Sequence, residues 1–129
     1  MAEFKDFMKL DIRVGKIIEA ENFEKANDSA YKLRLDFGED IGQKKSSAQI
    51  TDLYRTKDLI GKQVLAVINF PPKQIADFMS EVLVLGIYSE KGVVLIEPEQ
   101  EVKLGSRLGW LNEYHSKFCL LYTSDAADE

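Results

Sequence analysis

Side chains able to hold an anion crowd the middle of this chain. Lys44, Lys45, Ser46, Ser47 and Gln49 lie almost side by side. Asn69 and Lys73 follow after a polar connector and an apolar run. Ammonium groups attract a phosphate, and hydroxyl and amide groups add hydrogen bonds to it. The charge is gathered there as well. Residues 43–73 hold six basic and two acidic side chains, a balance of +4, in a chain whose net charge is −5. Residues 1–42 hold seven basic against ten acidic, and residues 74–129 hold four against ten. A basic segment in an acidic protein suits an anionic partner bound at one place. A solvated lysine face is the commoner origin of such a segment. The interleaved Ser, Gln and Asn side chains set this one apart.

Other chemistries find little support. The chain has one histidine, His115, and one cysteine, Cys119. A Ser-His-Asp or Cys-His arrangement within the domain is therefore excluded, as is a His/Cys metal site. No Gly-rich phosphate loop is present. Asp and Glu are plentiful, yet no spacing singles out a catalytic pair. We expect no enzyme, no metal and no cofactor. No apolar run approaches the roughly 20 residues that span a bilayer. The N-terminus has no signal-peptide core, and a lone cysteine fits a reducing compartment. A cytoplasmic protein without a membrane partner is expected.

The basic residues need elements to carry them. With 129 residues, one domain is the simplest organisation. Phe4, Phe7 and Met8 have the spacing of one helical stripe over residues 3–9. Residues 10–20 read as a strand with a bulge or sharp coil at Gly15. Tyr31–Phe37 alternates most clearly, with Tyr31, Leu33, Leu35 and Phe37 on one face. Lys32, Arg34 and Asp36 take the other. A third strand runs through Lys44–Ile50. Thr51–Leu59 predicts a short helix with Leu53, Tyr54 and Leu59 inward. Val64–Ile68 is a continuous apolar run, as in a strand buried on both sides. Pro71 and Pro72 end it. Glu81–Ile87 and Val93–Ile96 predict two more strands around a turn at 89–92. Leu33, Leu35, Val67 and Val84 are the expected core. The sum is an all-β, five-stranded OB-fold barrel over about residues 11–109, with a short helix between strands three and four. A small sandwich or SH3-like barrel is the competing architecture; the helix after strand three favours the OB fold.

With these pieces placed, the chain resembles the tRNA-binding domain family, most closely its stand-alone CsaA-type members. The matching motifs are AspIleArgValGlyLysIle (11–17), SerSerAlaGlnIle (46–50), AsnPheProProLys (69–73) and SerGluValLeuValLeuGly (80–86). They stand in order over nearly all of residues 7–109. The resemblance implies an OB fold that binds tRNA without reading an anticodon. It also implies a homodimer, and it connects the chain to aminoacyl-tRNA synthetases, here as a partner in trans. Lys44 and Lys45 are then expected to clamp phosphate, with Ser46, Ser47 and Gln49 beside them. Asn69 and Lys73 would face them across the barrel, and Ser80 would cap a strand or touch ligand. Arg13 stands open between a ligand contact and a structural ion pair. Lys45 occupies a place where the family often has Gln. No stacking aromatic stands out; Phe70 is either that or core.

Two functions of different class follow from the resemblance. One is a tRNA-binding module for structured RNA. The other is a chaperone that holds unfolded export substrates in an apolar dimer groove, with the Phe4, Phe7, Met8 stripe as its motif. The domain is expected over residues 1–109, with 1–10 as a helical extension. Residues 110–129 break the pattern and carry the only Trp, His and Cys. Their end resembles a translated sequencing adapter, so we expect a non-native tail, against the alternative of an amphipathic C-terminal helix.

Overall fold

The computed structural model describes residues 1–110. Helix α1 (Phe4–Met8) leads into nine strands and one further helix. The strands are β1 (Ile12–Asn22), β2 (Tyr31–Asp36), β3 (Gln43–Ala48), β4 (Gln63–Val67), β5 (Lys73–Ile75), β6 (Phe78–Ser80), β7 (Leu83–Val84), β8 (Gly86–Ser89) and β9 (Gly92–Leu95). Helix α2 (Thr56–Leu59) lies between β3 and β4. Five strands form one antiparallel sheet in the order β3-β2-β1-β4-β7, and β5-β6 and β8-β9 are separate hairpins. This is the expected OB-type barrel with its helix after the third strand. Among the described residues no helix is long and apolar enough to cross a membrane.

The long strand β1 makes the barrel curl. Its first half, Ile12–Lys16, pairs with β4, and its second half, Lys16–Asn22, pairs with β2. The register slips between Ile17 and Glu19, and such a slip bends and coils a strand. The sequence placed a bulge or sharp coil at Gly15; the slip falls three residues later, at Ile18. Gly15 serves another purpose. A Cβ there would lie 2.6 Å from Cε1 of Phe37, so the missing side chain lets the Phe37 ring lie on the strand.

The barrel closes without a regular β3-β7 ladder. The carbonyl of Lys45 accepts the backbone N–H groups of Glu81 and Val82 at 2.8 and 3.3 Å. The Lys45 N–H donates to the Glu81 carboxylate at 2.9 Å, and the Ser47 N–H donates to Ser80 Oγ at 3.0 Å. Side chains thus satisfy an edge that backbone alone leaves open.

The alternation of β2 works as expected. Tyr31, Leu33, Leu35 and Phe37 are buried and join Ile17, Leu59, Val64 and Ala66 in one core. Val67 is buried too, whereas Val84 is half-buried against this cluster. Other expectations shift. The 51–59 helix is only Thr56–Leu59, preceded by a turn, and Leu53 is exposed. Residues 81–87 split into β7 and β8, which belong to different sheets. The hairpin β5-β6 had no sequence expectation, because each arm has three residues and no full alternation.

Candidate nucleic-acid interface

Strand pleat decides which basic residues can act together. On β3, Ser46 and Ala48 are buried, so Lys44 shares their face at the end of the barrel. Lys45 and Ser47 project from the opposite face. The adjacent lysines of the expected clamp therefore point apart. Cross-strand pairing supplies other neighbours: Arg34 lies opposite Lys45, and Lys32 lies opposite Ser47. The outer face of β2 and β3 thus carries Lys32, Arg34, Lys45 and Ser47.

An aromatic ring gathers two of these cations. The Phe78 ring, from β6, lies 5.4 Å from Lys45 Nζ and 5.8 Å from Lys32 Nζ. Phe78 itself packs edge-on against buried Phe23 at 5.3 Å. A ring face attracts each ammonium and offsets their repulsion. The cations differ in how far they are neutralised. Lys32 pairs with Glu21 at 3.7 Å, and Arg34 with Glu19 at 3.1 Å. Lys45 and Lys73 make no ion pair among the described residues. Their charge is the most available to an anion.

Two walls rise beside this face: the 23–30 loop and the β5-β6 hairpin. Between them lies a cleft of about 360 Å³, lined among others by Ser47, Gln49 and Lys73. The walls are joined where Lys25 Nζ donates to Asp77 at 2.8 Å. That bond, with the attraction between the charges, raises the Lys25 pKa and lowers that of Asp77. Both groups are exposed, so salt screens the link. At the hairpin turn Ala76 takes a φ of +53°, unusual for a residue with a Cβ.

The remaining expected site residues are spent on the scaffold. Ser46 is fully buried, and its hydroxyl donates to the Ser47 carbonyl at 3.1 Å. Ser80 accepts the Ser47 N–H, as above. Asn69 accepts the Asp11 N–H at 2.9 Å and donates to the Lys9 carbonyl at 2.8 Å, tying α1 and the start of β1 to the end of β4. Arg13 donates to Asp11 at 2.6 Å and to the Gly105 carbonyl at 2.9 Å. Arg107 adds a second contact to Asp11 at 3.5 Å. Of the two roles left open for Arg13, its observed partners are those of the structural ion pair. Phe70 is exposed rather than core. Trp110, counted with the tail, packs edge-on against Phe4 at 4.8 Å. His115 and Cys119 lie outside the described residues.

Sequence reasoning missed Lys32, Arg34, Phe78 and the 23–30 loop. The alternation of residues 31–37 already turned Lys32 and Arg34 outward, but only the β2-β3 register makes them neighbours of Lys45 and Ser47. The contiguous basic segment also disperses. Arg55, at the start of α2, pairs with Asp58 of that helix, Lys57 lies within the helix and Lys62 follows it.

Comparison with known proteins agrees with this architecture. The chaperone CsaA of Picrophilus torridus superposes with a TM-score of 0.81 at 50% identity, covering 84% of this chain and 100% of that one. CsaA of Bacillus anthracis gives 0.79 at 49% identity, over 84% of this chain and 99% of that one. The methionine–tRNA ligase of Thermococcus onnurineus is 35% identical over 106 residues, 82% of this chain but 14% of the ligase. The chain thus spans about one seventh of that curated relative. The model of the tRNA binding domain matches residues 12–107. A match of that extent, on a barrel of this form, makes the chain a member of the tRNA-binding domain family.

Proposed function

We infer that this domain is a binding module for tRNA and that RNA lies on the outer face of β2 and β3, between the 23–30 loop and the β5-β6 hairpin. OB folds use the corresponding strands and loops for oligonucleotides. The observation that carries the reading is the convergence of Lys32, Lys45 and Lys73 on this face, the last two without carboxylate partners. Phosphates would rest on these three, and the half-buried Phe78 offers a ring nearby. Lys44, on the opposite face, takes no part in this reading. Arg13, Asn69, Ser46 and Ser80 act by holding the scaffold.

Three phosphate contacts imply a log K against log salt slope of roughly −2 to −3, so a fourfold rise in salt should weaken binding about 20- to 40-fold. Gel-shift titration with bulk tRNA at two salt concentrations measures this. Binding that is indifferent to salt would instead mark apolar capture, the chaperone alternative.

We also infer a two-fold homodimer. Its support is apolar surface exposed among the described residues: Leu83, Ile87, Tyr88 and Val94 on β7–β9, and Phe4 on α1, which Trp110 covers only edge-on. Ile87 and Tyr88 are 57% and 93% exposed, and contiguous apolar surface marks interaction sites. Sedimentation at tens of micromolar should show the dimer, and removal of residues 1–9 should weaken it. A monomer at that concentration removes the reading. A synthetase partner in trans would bring the chain the context that the fused relative has within one polypeptide.

A further inference from the structure

The side chains of the cleft separate into two groups. Gln74 spends its amide on the hairpin, donating to the Ala76 carbonyl at 2.8 Å. Asn27, Asp28, Gln49 and Lys73 line the cleft or its rim with no partner among the described residues, and the Ser47 hydroxyl is likewise free. Five uncommitted polar groups therefore converge on one small space. Its apolar lining is made of small groups and one branched side chain: Ala26, Ala30, Ala76 and Ile75.

Size restricts what can enter. A volume of about 360 Å³ lies at the low end of small-molecule sites, which run from roughly 300 to 1,000 Å³. A space of this size suits one nucleotide rather than a stack of bases. The chemistry is equally specific. Lys73 is the only cation of the lining and Asp28 the only anion. A carboxylate repels phosphate, so in a purely electrostatic RNA site it is out of place. It is a strong acceptor for hydroxyl donors, however, and each ribose of an RNA strand presents one in its 2′-hydroxyl.

We propose that this cleft is a subsite for one unpaired ribonucleotide, with its phosphate on Lys73, its ribose 2′-hydroxyl on the Asp28 carboxylate and its base edge on Gln49 and Asn27. The proposal deepens the tRNA reading above and rests on it. Ser47 connects the subsite to the rest of the face: it sits two residues from Lys45 along β3 and opposite Lys32 on β2. The strand leaving the cleft thus meets the next cations at once. Recognition of the 2′-hydroxyl would let the domain tell RNA from DNA, and the need for an unpaired residue would direct it to loops and ends of a folded RNA.

The test compares short single-stranded oligonucleotides of one mixed sequence in ribo, deoxy and 2′-O-methyl form, with a blunt RNA duplex alongside. Wild-type protein should prefer the ribo form over the other two by roughly tenfold, the range of hydrogen bonds to a charged group. Asp28→Ala should erase this preference by weakening the ribo form alone. If Asp28 only repels phosphate, the same substitution tightens all forms, which overturns the proposal. Gln49→Ala leaves the 27–29 turn intact. It should weaken every single-stranded form severalfold and leave the duplex unchanged; equal loss with the duplex also overturns the proposal. Bulk tRNA separates the two levels. If tRNA binds with a steep salt slope and no ribo preference exists, the subsite fails alone. If tRNA does not bind, the RNA reading fails and the subsite with it.

Discussion

Substituting Lys45 and Lys73 together by Ala should flatten the salt dependence of tRNA binding by about 1.4–1.8 in slope, twice the value for one released counterion contact. At low salt, affinity should fall roughly tenfold or more for each, the value of a charge-assisted contact. These two lysines are chosen because neither is neutralised by a carboxylate among the described residues. Lys32 should matter less, since Glu21 already holds its ammonium at 3.7 Å. The loss should be similar for different tRNAs, because phosphate contacts carry no base information. Lys44→Ala and Lys103→Ala are the comparators. Lys44 is next to Lys45 in the chain but on the other face of β3. Lys103 lies in the segment whose neighbour Gly105 bonds to Val14 of β1. If either comparator costs as much as Lys45→Ala, binding is spread over the surface and the β2-β3 face is not the site. Melting temperatures of all variants separate lost contacts from lost folding.

Leu35→Ala is expected to cost about 2–5 kcal/mol of stability, the range for large-to-small changes in a core. The upper half applies here. Leu35 is fully buried, and its strand is hydrogen-bonded on both sides, with Leu35 opposite Ile17 on β1 and Lys44 on β3. Backbone pinned by two ladders cannot move in to fill the void. Denaturant unfolding measures the effect, and Tyr88→Ala is the contrast. Tyr88 is 93% exposed, so its loss should stay within about 0.5 kcal/mol in the monomer. An unchanged midpoint for Leu35→Ala would mean that the barrel interior is elsewhere.

How much of this was legible beforehand depends on the range of the interaction. Period-two alternation is local, so Tyr31–Phe37 announced its inner and outer faces without any partner. The continuous apolar run Val64–Ile68 announced a strand as well, and Val64, Ala66 and Val67 are buried. Glycine is less direct. Gly15 signalled an unusual place on β1, yet the sequence cannot distinguish a bulge from a close approach by a ring 22 positions further on. The ring came from Phe37, and the bulge went to Ile18.

The candidate site shows the same division more sharply. Residue types and order alone announced an OB-type barrel of the tRNA-binding family and drew attention to the basic and polar residues around β3. They could not determine which charges share a surface. Adjacent residues on a strand face opposite ways, so Lys44 and Lys45 were separated by the pleat. Residues distant in sequence were joined by register: Lys32 to Ser47, and through Phe78 to Lys45. Nor could sequence tell a free amide from a spent one. Asn69 and Gln49 look alike as hydrogen-bonding residues in a motif. Asn69 is bound at both ends by the backbone of Lys9 and Asp11, and Gln49 lines the cleft. Such commitments depend on backbone groups up to 60 positions away, and only the closed barrel brings those groups within hydrogen-bonding distance.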